Sequence, residues 1–123
     1  MSRLIVDGMN VIGSRPDGWW RDRPGAMRRL TAQLGEWADR SGVQVMVVFD
    51  GRPLEPPAEV PGVEVRFAPG GPNAADREIE RLVADGDPAD ATVVTSDRDL
   101  EGRLTELGAR VVGARSFRRR FES

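Results

Sequence analysis

Hydrophobic positions in this chain fall into short runs that end on acids. Leu4, Ile5 and Val6 form an apolar run that stops at Asp7-Gly8, the pattern of a buried parallel strand entering a turn. Val43 to Phe49 repeats it and ends on Asp50-Gly51. Val63 to Phe67 alternates instead, which predicts a strand at a sheet edge. Ala91 to Thr95 and Arg110 to Val112 supply a fourth and a fifth strand.

Between these runs the period changes to that of a helix. Pro24 opens a stretch in which Met27, Leu30, Leu34, Trp37 and Ala38 recur at steps of three and four, closed by Gly42. Asn73 is placed to cap a helix running to about Ala84 with Ile79, Leu82 and Val83 as its buried stripe. Ser96-Asp97-Arg98-Asp99 starts another that ends at Gly108, and a last helical segment carries Phe117 and Phe121. Strands alternating with helices imply right-handed crossovers, so the expected fold is a three-layer α/β/α domain around a mainly parallel five-stranded sheet. With 123 residues the chain fits one domain, residues 1–123.

Composition then narrows the chemistry. The chain has no His, Cys, Tyr or Lys, and all 18 basic residues are Arg. Disulfides, Cys or His zinc sites, imidazole-assisted nucleophiles and lysine Schiff bases are therefore excluded. Any catalysis falls to carboxylates. The net charge of −2 predicts no general attraction to polyanions, so nucleic acid must be met by a local Arg patch. Met1-Ser2-Arg3 leads directly into the first strand without a secretory h-region, and no run is long enough to span a membrane, which predicts a cytoplasmic protein.

The acids are placed where ligands bind. Asp7, Asp50 and Asp97 sit at the carboxyl ends of predicted buried strands, the edge at which open parallel sheets take their ligands. Asp76 starts the helix after the third strand, Glu80 shares its face four residues on, and Asp99 lies two past Asp97. Carboxylates about 5 Å apart repel by about 3 kcal/mol per pair at an effective dielectric near 20, so such a cluster calls for a cation. Oxygen donors alone suit Mg²⁺ or Mn²⁺, ions that stabilise charge in phosphoryl transfer and activate water. Structural readings stand beside this one. Asp50-Gly51 is a common turn pair, Asp76 suits a helix dipole, Ser96 with Asp99 resembles a capping pair, and Glu80 fits an Arg-paired helix residue.

These segments together resemble the NYN branch of the PIN-like metal-dependent ribonucleases, and within it the bacterial YacP-like group. The matching stretches are Leu4 to Gly13, with its Asp-Gly-x-Asn-x-Ile-Gly opening, Val47 to Asp50, Ala75-Asp76 with Ile79-Glu80, and Val94 to Asp97. The resemblance implies a PIN-like fold and Mg²⁺- or Mn²⁺-dependent endonuclease activity on RNA, in relatives that act on messenger RNA associated with the ribosome. By position it implies that Asp7, Asp76 and Asp97 form the acidic metal site and that Asp99 is a further acid. It also implies that Asn10 orients the site and that Ser96 is the small polar residue beside the acid. The chain ends at Ser123, shorter than many YacP-like relatives, so contacts made through an extended C-terminal part are expected to be altered.

Arg115, Arg118, Arg119 and Arg120 form the densest basic cluster, and a Phe117/Phe121 pair would pin their helix so that the Arg side chains meet phosphates. The plainer reading is a solvated terminal helix. Trp19 and Trp20 offer a base-stacking residue or a lid on the first long helix, whereas Met27 and Trp37 read as core. Two further functions remain open besides the nuclease: a catalytically weak RNA- or ribosome-binding module of the same fold, and a metal-dependent phosphatase.

Overall fold

A computed structural model of the chain describes residues 3–71 and 73–122, with side chains as far as Arg120. Five strands form one parallel sheet: β1 Arg3–Asp7, β2 Gln44–Asp50, β3 Val63–Ala68, β4 Ala91–Val94 and β5 Arg110–Val112. Their order is β3-β2-β1-β4-β5. The chain builds outward from β1 to β3, then crosses back to lay β4 on the other side of β1. The order in which strands are added therefore reverses between β1 and β4, and a crevice at the carboxyl ends of those two strands is the expected ligand site. The alternating run of residues 63–67 does lie at an edge, and the continuous runs of β1 and β2 lie inside.

Helices cover both faces, which is why the inner strands are apolar throughout. On one face α1 Gly8–Gly13, α2 Arg23–Ser41 and α5 Ala114–Glu122 pack over Leu4, Val6, Val45, Val47 and Phe49. On the other, α3 Ala74–Asp85 and α4 Arg98–Leu107 pack over Ile5, Val48 and Val93. Met27 is core as expected, and Trp37 is half-buried against Phe117, their rings T-shaped at 5.6 Å. That contact pins α5; the Phe121 half of the expected pair lies outside the described side chains.

Two local features depart from the sequence reading. The segment after Asp7 enters a short helix, α1, at once, because Val11 and Ile12 turn inward while Gly8 passes close beneath the sheet. A Cβ on Gly8 would stand 2.4 Å from the Phe49 ring, so only glycine lets the helix start there. Asn73 does occupy the position before α3, but in the left-handed region at φ 64° and without a side-chain cap bond. Asp50 supplies an acceptor there, taking the Ala75 amide at 3.1 Å.

Candidate functional site

Strand periodicity aims the acids. Side chains alternate across a strand, so Asp7 points with Ile5, Asp50 with Val48, and Thr95, just past β4, with Val93. All three anchors pack on the α3/α4 layer. Asp7 is buried at 5% exposure, and its Oδ2 accepts a hydrogen bond from Thr95 Oγ1 at 2.8 Å. Although Asp7 precedes α1, its carboxylate makes no capping bond to that helix. Thr95 Oγ1 also accepts the Asp97 amide at 3.2 Å, so one hydroxyl couples the ends of β1 and β4. Thr95 was legible only as the end of an apolar run.

The other acids gather around Asp7. Burial pushes the Asp7 carboxyl up from 3.8 to about 6; the Thr95 hydrogen bond works against this, and the charges of Asp76, Asp50 and Asp97 add to it. Asp76 is raised as well, first by burial and then by Asp97, with the Arg103 guanidinium pulling the other way and Asp50 and Glu80 adding to the rise. Asp50 fixes the first turn of α3, and with it Asp76, through the Ala75 amide. Asp97 caps α4 by accepting the Leu100 amide on Oδ1 at 3.0 Å. A capping role and a place in the acidic rim therefore coincide in Asp97.

Asp99 and Glu80 fare differently. Asp99 is exposed in the first turn of α4, and its charge is not among the largest influences on Asp7 or Asp76. It pairs with no Ser96 cap: Asp97 caps α4, and the Ser96 hydroxyl accepts the Ala114 amide at 2.9 Å, at the start of α5. Glu80 Oε1 accepts from Arg103 Nε at 2.7 Å across α3 and α4, which is the Arg-paired reading. Arg103 was not singled out in the sequence. Only the packing of α4 on α3 brings its side chain beside Asp76.

Among the described residues no three acids stand close enough to form a ligand set, so the carboxylates converge on the crevice without closing up. The donor chemistry nevertheless fits a hard divalent cation. Every candidate donor is a carboxylate oxygen, and the largest influence favouring the charged form of the buried Asp7 is a single hydrogen bond, from Thr95.

Beside the acids runs a shallow groove lined by Met9, Asn10, Gly13, Ser14, Ser96 and Arg115. Asn10 Oδ1 accepts the Ser96 amide at 2.8 Å, locking the β4 loop against α1. The basic cluster of α5 does not form one patch. Arg115 edges this groove, whereas Arg118 donates to the Val11 carbonyl at 2.8 Å and is half-buried. Arg119 reaches Ser116 on its own helix, and Arg120 lies beside Arg3 and Arg110, which open strands at the opposite edge of the sheet. Helical geometry fans four nearby residues around the axis, so closeness in sequence does not make one surface.

Comparison with known proteins agrees with this architecture. The profile of the YacP-like NYN domain matches residues 4–123. A UPF0178 protein of Xanthomonas oryzae pv. oryzae is 36% identical over 101 residues, 82% of this chain and 59% of that protein. A UPF0178 protein of Cereibacter sphaeroides is 41% identical over 83 residues, 68% of this chain and 48% of its own length. The chain thus spans less than two thirds of these relatives. The crystal structure of Rae1 (YacP) from Bacillus subtilis superposes with a TM-score of 0.83 at 30% identity, covering 99% of this chain and 74% of that one. Its W164L mutant gives 0.82.

Proposed function

The chain belongs to the YacP-like NYN domain family, and from that premise we propose that it is a metal-dependent endoribonuclease hydrolysing RNA phosphodiester bonds. The family's fold is RNase-like, and its activity is of nuclease type. The observation that carries the finer reading is the buried Asp7 at the reversal of the sheet, surrounded by the charges of Asp76, Asp50 and Asp97.

Asp7, Asp76 and Asp97 are the residues that would hold Mg²⁺ or Mn²⁺. Bound there, the ion supplies positive charge and Lewis acidity for displacement at phosphorus. Thr95 orients the Asp7 carboxylate and favours its charged form against the burial that raises its pKa. Asp50 sets the α3 turn that carries Asp76. Asn10 and Ser96 fix the neighbouring loop, and Arg115 on the groove offers a guanidinium to a backbone phosphate. Asp99 we place outside this set. The substrate we assign is RNA, with messenger RNA on the ribosome as its setting by family resemblance. Among the described residues no helix is long and apolar enough to cross a membrane.

A second reading is a catalytically weak RNA- or ribosome-binding module. The absence of three acids at ligating spacing among the described residues favours it. Cleavage of a labelled single-stranded RNA with Mn²⁺ or Mg²⁺ separates the two. The nuclease reading expects cutting that chelation stops and that Asp7→Asn abolishes in a folded protein. Equal cutting by Asp7→Asn would sink it, and binding without cutting by the wild type would favour the module.

A further inference from the structure

A second cavity, lined by several Arg residues, opens at the far end of α1 from the acids. α1 has six residues and so spans about 9 Å. Asp7 stands at its start, Met9, Asn10, Gly13 and Ser14 line the groove along its side, and Arg15 lies just beyond its end. There a cavity of about 190 Å³ opens, lined among others by Arg15, Asp17, Trp19, Arg29, Gln33 and Arg118. Among the described residues its lining holds three Arg and one acid, Asp17. Its construction joins separate parts of the chain: Arg29 and Gln33 come from one face of α2, Trp19 from a 3-10 turn, and Arg118 from α5, braced on the Val11 carbonyl.

The turn that supplies Trp19 also presents Trp20. The two rings meet edge to face at 5.9 Å, and Trp20 is 55% exposed, the most exposed large hydrophobic side chain among the described residues. Trp19 packs on the core and so anchors its neighbour. Trp19 lines the Arg-bearing cavity and its neighbour Trp20 is exposed, and an exposed indole near guanidiniums suits single-stranded nucleic acid, one for the base face and the other for the phosphate.

We propose that this cavity is a phosphate subsite for single-stranded RNA whose reacting phosphate sits at the acidic rim, with Trp20 stacking a base next to the subsite. The inference rests on RNA being the substrate, and it deepens that reading by assigning single-stranded RNA and a track that extends beyond the reacting phosphate. Arg supplies several donors in a fixed plane, which suits a phosphate.

The test uses a fluorescent single-stranded RNA and the Asp7→Asn protein as the uncut parent, with binding followed by anisotropy across a salt series. Adding Arg29→Gln should flatten the log-log salt slope by about 0.7, the value of one lost contact on a single strand. Adding Trp20→Ala should weaken binding at least about fivefold and leave the slope in place. With duplex RNA, whose bases are already stacked, the Trp20 effect should vanish. Trp20→Phe, which keeps a ring, guards against a folding failure and should bind nearly as the parent. Parent-like affinity and slope in both Arg29→Gln and Trp20→Ala would overturn the subsite, as would an equal Trp20→Ala loss on duplex. Cleavage by the wild type is measured separately. If it cuts RNA and the two variants bind normally, only the track fails; if it does not cut but the variants bind poorly, the track stands without the nuclease.

Discussion

Thr95 Oγ1 donates to Asp7 Oδ2 at 2.8 Å, across the reversal of the sheet. This is the largest influence holding the buried Asp7 toward its charged form, and it opposes burial and three neighbouring acids. Thr95→Val keeps the shape and removes the hydroxyl. The Asp7 pKa should rise further, so the acid limb of the pH-rate profile should move to higher pH, while Thr95→Ser should restore it. The same change leaves the Asp97 amide without its acceptor, for a loss of about 1–3 kcal/mol in unfolding free energy. A pH-rate profile unmoved by Thr95→Val would show that Asp7 does not set that limb.

Asp7 itself should weaken the metal-free fold at neutral pH. Its folded pKa of about 6 lies above the ordinary 3.8, so between those values the native state holds the proton more tightly than the unfolded chain. Stability from this group is present below about pH 4 and falls as pH rises through about 6, by about 3 kcal/mol in total. Asp7→Asn removes that dependence and still offers an oxygen to Thr95. In chelator, the variant should therefore melt higher than wild type at pH 7 and about equally at pH 4, as scanning calorimetry would read. A lower melting point at pH 7 would contradict the burial argument.

Gly8 tests the close approach of α1 to the sheet. An alanine Cβ would stand 2.4 Å from Phe49, which is fully buried and cannot swing aside. Overpacking of this kind costs about 1–3 kcal/mol. Chemical denaturation of Gly8→Ala should show that loss. Since the shift would also displace Asn10, activity should fall with it, whereas a variant as stable as wild type would mean that the Gly-Phe contact is easily relieved.

The sheet was legible because a strand buried on both faces must be apolar throughout, and an edge strand need not be; β1, β2 and β3 each show this. The acids were legible because they interrupt those runs at their carboxyl ends. Three things were not. α1 is too short to show a helical period, and its two inward residues, Val11 and Ile12, read equally as part of a loop. Arg103 reaches Asp76 only because α4 packs on α3, a relation with no trace in local spacing. The Arg run 118–120 suggested one patch, but helical rotation sends its members to different surfaces.

Asp97 and Asp99 lie two residues apart and should behave differently. Asp97 caps α4 and raises both Asp7 and Asp76, while Asp99 is exposed. Asp97→Ala should lose about 0.5–2 kcal/mol from the missing cap and abolish metal-dependent cleavage. Asp99→Ala should change stability by less than about 0.5 kcal/mol and leave cleavage within a few-fold of wild type. Equal loss of activity in both would place Asp99 back among the metal residues.

Asp50 separates positioning from ligation. Its Oδ1 accepts the Ala75 amide and thereby holds the α3 turn that bears Asp76, while its charge also bears on Asp7. Asp50→Asn preserves an acceptor and removes the charge; Asp50→Ala removes both. If Asp50 acts by positioning, Asn should keep the melting temperature and most of the metal-dependent activity, and Ala should lose about 0.5–2 kcal/mol together with activity. If it is a ligand, Asn should lose activity at unchanged stability and should need more Mn²⁺ for half-maximal rate. The Mn²⁺ dependence of the Asn variant therefore decides the role.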